Sequence, residues 1–265
     1  IVVACGVFLL AFNARHILDN NYLFFLGIAY LFVGVVDLFH TLSYQGMGVF
    51  PDSNSNLPTQ LWIAARYMES LALLIAPVFL ARSMKARFAF LGFSVLTALI
   101  LCSTLWWRNF PDCFHTDTGL TVFKIVSEYV ICALLVLAAL HLRHHRDGVD
   151  TQVYRTMNGA LGLTIVSEIF FTRYVSAHGF SNLVGHLFKI CSFYMVYKAI
   201  IETGLMYPYN LLFRDLAKRE VDLRKAHGQL VELDKLKDRF LRVAAHDLRN
   251  PIAIIQGYLR LLDVS

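Results

Sequence analysis

Residues 238–262 read DRFLRVAAHDLRNPIAIIQGYLRLL, and the side chains there that could do chemistry are a histidine, the acid beside it and an amide one turn on. Phe240, Ala244, Leu248, Ile252, Ile255, Leu259 and Leu262 recur at helical spacing. His246 stands about 200° round that helix from Ala244, at roughly 100° per residue. The pattern predicts an imidazole facing solvent, followed by Asp247 and then by Asn250 and Pro251. A neutral imidazole is a usable nucleophile near neutral pH, and a hydrogen-bonded carboxylate fixes its tautomer and accepts charge. Pro251 removes a backbone donor and crowds the Asp247 carbonyl, which predicts a bend. This geometry suits a nucleophile that another domain must reach.

The box AAHDLRNP, with an amphipathic charged helix before it and an apolar stripe after it, resembles the H-box of bacterial sensor histidine kinases, in the dimerisation and phosphoacceptor (HisKA) domain. The resemblance implies that His246 is phosphorylated from ATP, that Asp247 takes up its proton, and that Asn250 positions water for dephosphorylation. It also implies a homodimer, ATP with Mg as co-substrate, and a response regulator receiver domain as partner. The chain opens at Ile1 inside an apolar run and stops at Ser265 within a helical pattern. A longer parent carrying the ATP-binding domain is therefore expected, with the first helix incomplete here.

The composition is 57% hydrophobic and 16% charged, with a mean hydropathy of +0.55. Soluble domains run near half apolar and about a quarter charged, so the chain is read as a membrane protein. The net charge of +5 sits mostly in short loops between apolar runs, where it orients spans and does not imply a nucleic-acid partner. Five cysteines, at 5, 102, 113, 132 and 191, form no disulfide frame or zinc pattern.

Apolar segments of spanning length fall at about 1–14, 22–42, 59–81, 87–107, 119–142, 152–175 and 183–206. The expected architecture is an all-α membrane protein of about seven transmembrane helices, because helices satisfy their own backbone in lipid. Arg15, Arg82, Lys85, Arg87, Arg143 and Arg146 flank one set of loops and only Arg108 the other. This asymmetry predicts an external N-terminus and a cytoplasmic C-terminus in a bacterial inner membrane. Loops 43–58 and 109–119, rich in Gly, Pro, Asn and Ser, then lie outside. After Pro208, Leu216, Leu223, Ala226, Leu230, Leu233 and Phe240 fit a heptad seam interrupted by Arg219 and Lys237, predicting a parallel coiled coil. The expected division is a sensor domain over 1–206, a signalling coiled coil over 207–237 and the start of the phosphoacceptor domain over 238–265.

DLFHTLSYQGMGVFP, LPTQLWIAARYMESLALLIAPVFL, GLTVFKIVSEY and GHLFKICSFYMVYKAI together resemble the third type of the membrane-associated sensor (MASE) domain. That resemblance covers nearly all of 1–206 and implies a sensory role with an unknown small ligand. Ionisable residues facing lipid are costly, so those within the spans should face inward and partner one another. Asp37, His40, Arg66, Glu69, Lys124, Glu128, Glu168, Arg173, His186 and Lys189 all fall in the outer halves of the spans. Helical spacing puts Asp37 with His40, Arg66 with Glu69, Lys124 with Glu128 and His186 with Lys189 on common faces. Trp62, Tyr67, Tyr129 and Tyr194 are candidate linings. Three readings follow: an ion-pair network that fixes packing, a ligand pocket, and a metal or haem held by His40 and His186. His141, His144 and His145 read as interfacial charge. The rival to a sensor kinase is a membrane transporter, or a haem- or metal-binding membrane protein, that uses the same cluster.

Overall fold

The computed structural model describes residues 1–15, 21–44, 46–50, 55–172, 180–201 and 207–262; Arg173 and the side chains of Asp247 and Asn250 lie outside the described residues. Two compact units, Ile1–Pro208 and Tyr209–Ser265, divide the chain. The first holds α1 (Val2–Ala14), α2 (Asn21–Leu42), α3 (Asn56–Ile75), α4 (Ala86–Leu101), α5 (Val122–His144), α6 (Thr151–Phe171) and α7 (Phe180–Ile201). The second is one helix, α8, which begins at Tyr207 and runs to Leu262. Each of the seven apolar segments contains one helix.

Among the described residues, five helical stretches are long and apolar enough to cross a bilayer: Asn21–Leu42, Asn56–Leu80, Ala86–Trp106, Val122–His144 and Phe180–Ile201. The expected seven is thus not reached by length and composition. α1 has 13 residues, short of the roughly 20 that a span needs. α6 has 21 residues but carries Gln152, Arg155 and Asn158 in its first half.

Helix contacts trace a closed ring, α1 to α2 to α3 to α5 to α6 to α7 and back to α1, with α4 packed outside on α2. α4 buries little beyond Thr97, leaving Phe88, Leu91, Val95 and Leu99 exposed, which suits a helix wetted by lipid. The seam between α1 and α2 depends on small residues: a Cβ on Gly27 would meet the Ala11 methyl at 2.4 Å, so only glycine admits α1 this closely.

Local sequence explains where the helices change. Pro77 cannot supply the backbone donor for another α turn, and α3 tightens into a 3₁₀ segment over Ala76–Leu80. Near that break, His141 Nδ1 meets the Leu74 carbonyl at 2.8 Å, so His141 ties α5 to α3 and is more than interfacial charge. Asp150 caps α6, its Oδ1 accepting from Gln152 N at 2.8 Å and Val153 N at 3.4 Å. Thr121 Oγ1 caps α5 by accepting from Lys124 N at 3.2 Å.

The loop between α4 and α5 contains a short hairpin, β1 (Phe114–His115) against β2 (Gly119–Leu120), with Phe114 opposite Leu120. Gly119, at φ 77°, supplies the left-handed backbone the return requires. α3 anchors this hairpin. Asn56 Oδ1 accepts from Cys113 N at 2.8 Å and Phe114 N at 3.0 Å, while Gln60 Nε2 donates to the carbonyls of Phe110 and Pro111 at 2.9 and 3.0 Å. The Cys113 side chain is fully covered, and burial pushes its thiol up to about 12.

Candidate functional site

Inside the ring, ionisable side chains from five helices gather into one cluster. Arg66 on α3 donates through Nη2 to Asp37 Oδ1 on α2 and through Nη1 to Glu69 Oε2 on its own helix, both at 2.5 Å. Lys189 on α7 lies 2.7 Å from Glu69 Oε2 and 3.2 Å from Glu168 Oε1 on α6. Tyr30 OH donates to Glu69 Oε1 at 3.1 Å. Lys124 on α5 pairs with Glu128 Oε1 at 2.9 Å and donates to the Phe171 carbonyl, one of the last carbonyls of α6, which lack an intrahelical donor.

The Lys124–Glu128 pair adjoins the rest at Glu168, whose carboxyl group neighbours that of Glu128. Glu128 Oε2 and Glu168 Oε2 are buried without a hydrogen-bond partner. The cluster holds four carboxyl groups (Asp37, Glu69, Glu128, Glu168) and three cations (Arg66, Lys124, Lys189).

Spacing along the helices thus finds the right residues but only half of the pairs. Arg66 with Glu69 and Lys124 with Glu128 are in contact as their spacing implies. Asp37 turns instead to Arg66, and Lys189 to Glu69 and Glu168. His40 and His186 lie beside the network and not in it. The His40 Nδ1 meets the Pro58 carbonyl at 2.7 Å, and the Trp62 indole packs against both imidazoles, with ring centroids 5.4 Å from His40 and 5.3 Å from His186.

A cavity of about 370 Å³ opens beside this cluster, lined by Asp37, His40, Trp62, Arg66, His186, Lys189 and Phe193. Of the four candidate aromatic linings, Trp62 borders it. Tyr129 and Tyr194 are 59% and 58% exposed on the outer surface of their helices, and Tyr67 is half-buried away from it. Phe193 and Tyr44 join the lining without any spacing signal in the sequence, since only the adjacency of α2, α3 and α7 brings them there.

One ring nitrogen of His40 is held by a carbonyl, and among the described residues no group of three or more His, Cys, Asp or Glu side chains converges as a metal site. The cavity's acids face cations that already neutralise them.

In the other unit, α8 continues through Pro251 without interruption. His246 is exposed, as are Arg249 and Leu248, while Ala244 is partly covered. Leu216, Leu223, Leu230, Leu233 and Phe240 are all exposed in the single chain. Ion pairs one turn apart, Asp215 with Arg219 at 2.9 Å and Glu220 with Arg224 at 2.7 Å, lie on its surface and add little to stability.

The chain is thus an all-α membrane bundle with an ionic interior, followed by a long helix bearing an exposed histidine. Residues 1–208 match the family model of the membrane-associated sensor domain MASE3, and residues 236–265 match that of the His Kinase A (phospho-acceptor) domain. The chain belongs to the MASE3 family of membrane-associated sensor domains, and the two matches in series make it the sensor and phosphoacceptor portion of a two-component histidine kinase. No curated protein and no solved structure matches it.

Proposed function

We propose that the membrane bundle senses through its outer ionic cluster and cavity, and that the signal sets the phosphorylation of His246. The observation that carries the reading is an exposed His246 within AAHDLRNP, on an unbroken helix inside the stretch that matches the phosphoacceptor domain. The imidazole attacks the γ-phosphorus of Mg-bound ATP, the bond to ADP breaks, and the imidazole proton passes to Asp247. The phosphoryl group then moves to a receiver domain of a response regulator, and Asn250 orients the water that removes it in the reverse mode.

The proposed division is a sensor domain over 1–206, a coiled coil over 207–237 and the start of the dimerisation domain over 238–265. The proposed homodimer follows from the exposed seam of Leu216, Leu223, Leu230 and Leu233, which a partner helix would bury. The basic loops favour an external N-terminus and a cytoplasmic C-terminus, in the inner membrane.

The test uses a kinase that carries this chain together with an ATP-binding domain, incubated with labelled ATP. Acid-labile phosphate is expected on His246 alone, with none on His246→Gln, while Asn250→Ala retains phosphorylation and dephosphorylates more slowly. Phosphate that persists on the His246→Gln protein would sink the assignment.

A further inference from the structure

The cavity beside the ion network has two unused donors and no unused charge. Trp62 Nε1 and Arg66 Nε are buried without a hydrogen-bond partner, on side chains 8% and 1% exposed that both line the cavity. The guanidinium lies over the indole, with Arg66 Cζ 4.5 Å from the ring centroid, so the two donors belong to one stacked unit. Leaving a buried donor unpaired is unfavourable, and native structures pair nearly all of them. An acceptor atom arriving in the cavity would relieve both.

Charge decides what kind of acceptor. Arg66 already holds Asp37 and Glu69, and Lys189 holds Glu69 and Glu168. Asp37, Arg66 and Lys189, the acid and the two cations that line the cavity, are thus already paired, so a carboxylate or phosphate would enter with no spare cation to meet it. The remaining wall is largely apolar, with Phe193 and Ile190 among its residues. At about 370 Å³ it is at the lower end of ligand pockets, which run roughly 300–1,000 Å³.

We propose that this cavity binds an uncharged small molecule with an apolar body and a carbonyl-type oxygen, the oxygen accepting from Trp62 Nε1 and Arg66 Nε. The proposal rests on the reading of the outer cluster as the sensing site and names the class of its ligand.

Three probes on one bicyclic skeleton separate the outcomes: 2-acetonaphthone, a neutral acceptor; 2-naphthoate, an anion; and 2-isopropylnaphthalene, which has no acceptor. Each is titrated calorimetrically into the full chain in lipid nanodiscs, with empty nanodiscs subtracted. The ketone should bind saturably and at least about tenfold more tightly than either of the others. Trp62→Phe, which keeps an aromatic ring and removes the donor, should weaken the ketone about tenfold and leave the hydrocarbon unchanged. The comparison of probes on the unaltered chain stands even if that variant folds poorly. Naphthoate binding as tightly as the ketone overturns the charge argument while leaving a ligand site in place. Equal binding of the hydrocarbon overturns the role of the two donors. Saturable binding by none of the three removes the ligand cavity, and with it the sensing reading on which the proposal stands.

Discussion

Arg66 holds two carboxylates at once, Asp37 on α2 and Glu69 one turn along its own helix, with its side chain 1% exposed. Removing one partner of a buried pair leaves the other charged and unsolvated, which costs about 3–5 kcal/mol. Arg66→Ala should therefore lower stability by about that amount, measured as unfolding in mild detergent. A change well below 1 kcal/mol, roughly the value of an exposed pair, would mean that water already reaches the site. Cys113 supports a second expectation, in the loop between α4 and α5. The thiolate is the reactive form, and burial that pushes this thiol up to about 12 keeps it protonated until pH approaches that value. Maleimide at pH 8 should leave Cys113 unlabelled in the folded protein and label it after denaturation. Rapid labelling of the native protein would contradict the burial of the hairpin loop on α3.

On α8, Leu216, Leu223, Leu230 and Leu233 form a seam of exposed apolar side chains. Single cysteines at positions 223 and 230 should cross-link between copies in native membranes, and failure at both would count against the parallel coiled coil. The elements themselves were largely legible in the sequence, because an apolar run of about 20 residues has few other uses. What was not legible has local physical causes. The hairpin at Phe114–His115 and Gly119–Leu120 has two residues per strand, too few to show any alternation. Asn56 and Gln60, which hold it, look in the sequence like ordinary polar residues at a helix start. Nine of the ten ionisable residues named from the spans lie among the described residues, seven of them in the network and His40 and His186 beside it. Their partners could not be read from spacing, since spacing reports faces of one helix and the decisive pairs, Asp37 with Arg66 and Lys189 with Glu69 and Glu168, cross between helices.

Within the closed ring of six helices, ion pairs tie α2 to α3, α3 to α7 and α7 to α6. A stimulus can act only by binding two arrangements of the protein with different affinity. Glu69 is the place to ask, because it accepts from Arg66, Lys189 and Tyr30 together. Glu69→Gln keeps its shape and removes its charge. The decisive measurement is acid-labile phosphate on His246 per folded dimer, compared between Glu69→Gln and the unaltered chain in a kinase carrying an ATP-binding domain. A sensing network predicts a change of at least about fivefold, the lower edge of common coupling free energies. Unchanged phosphate per folded dimer, with stability alone reduced, would contradict it and leave the cluster as a device for packing helices.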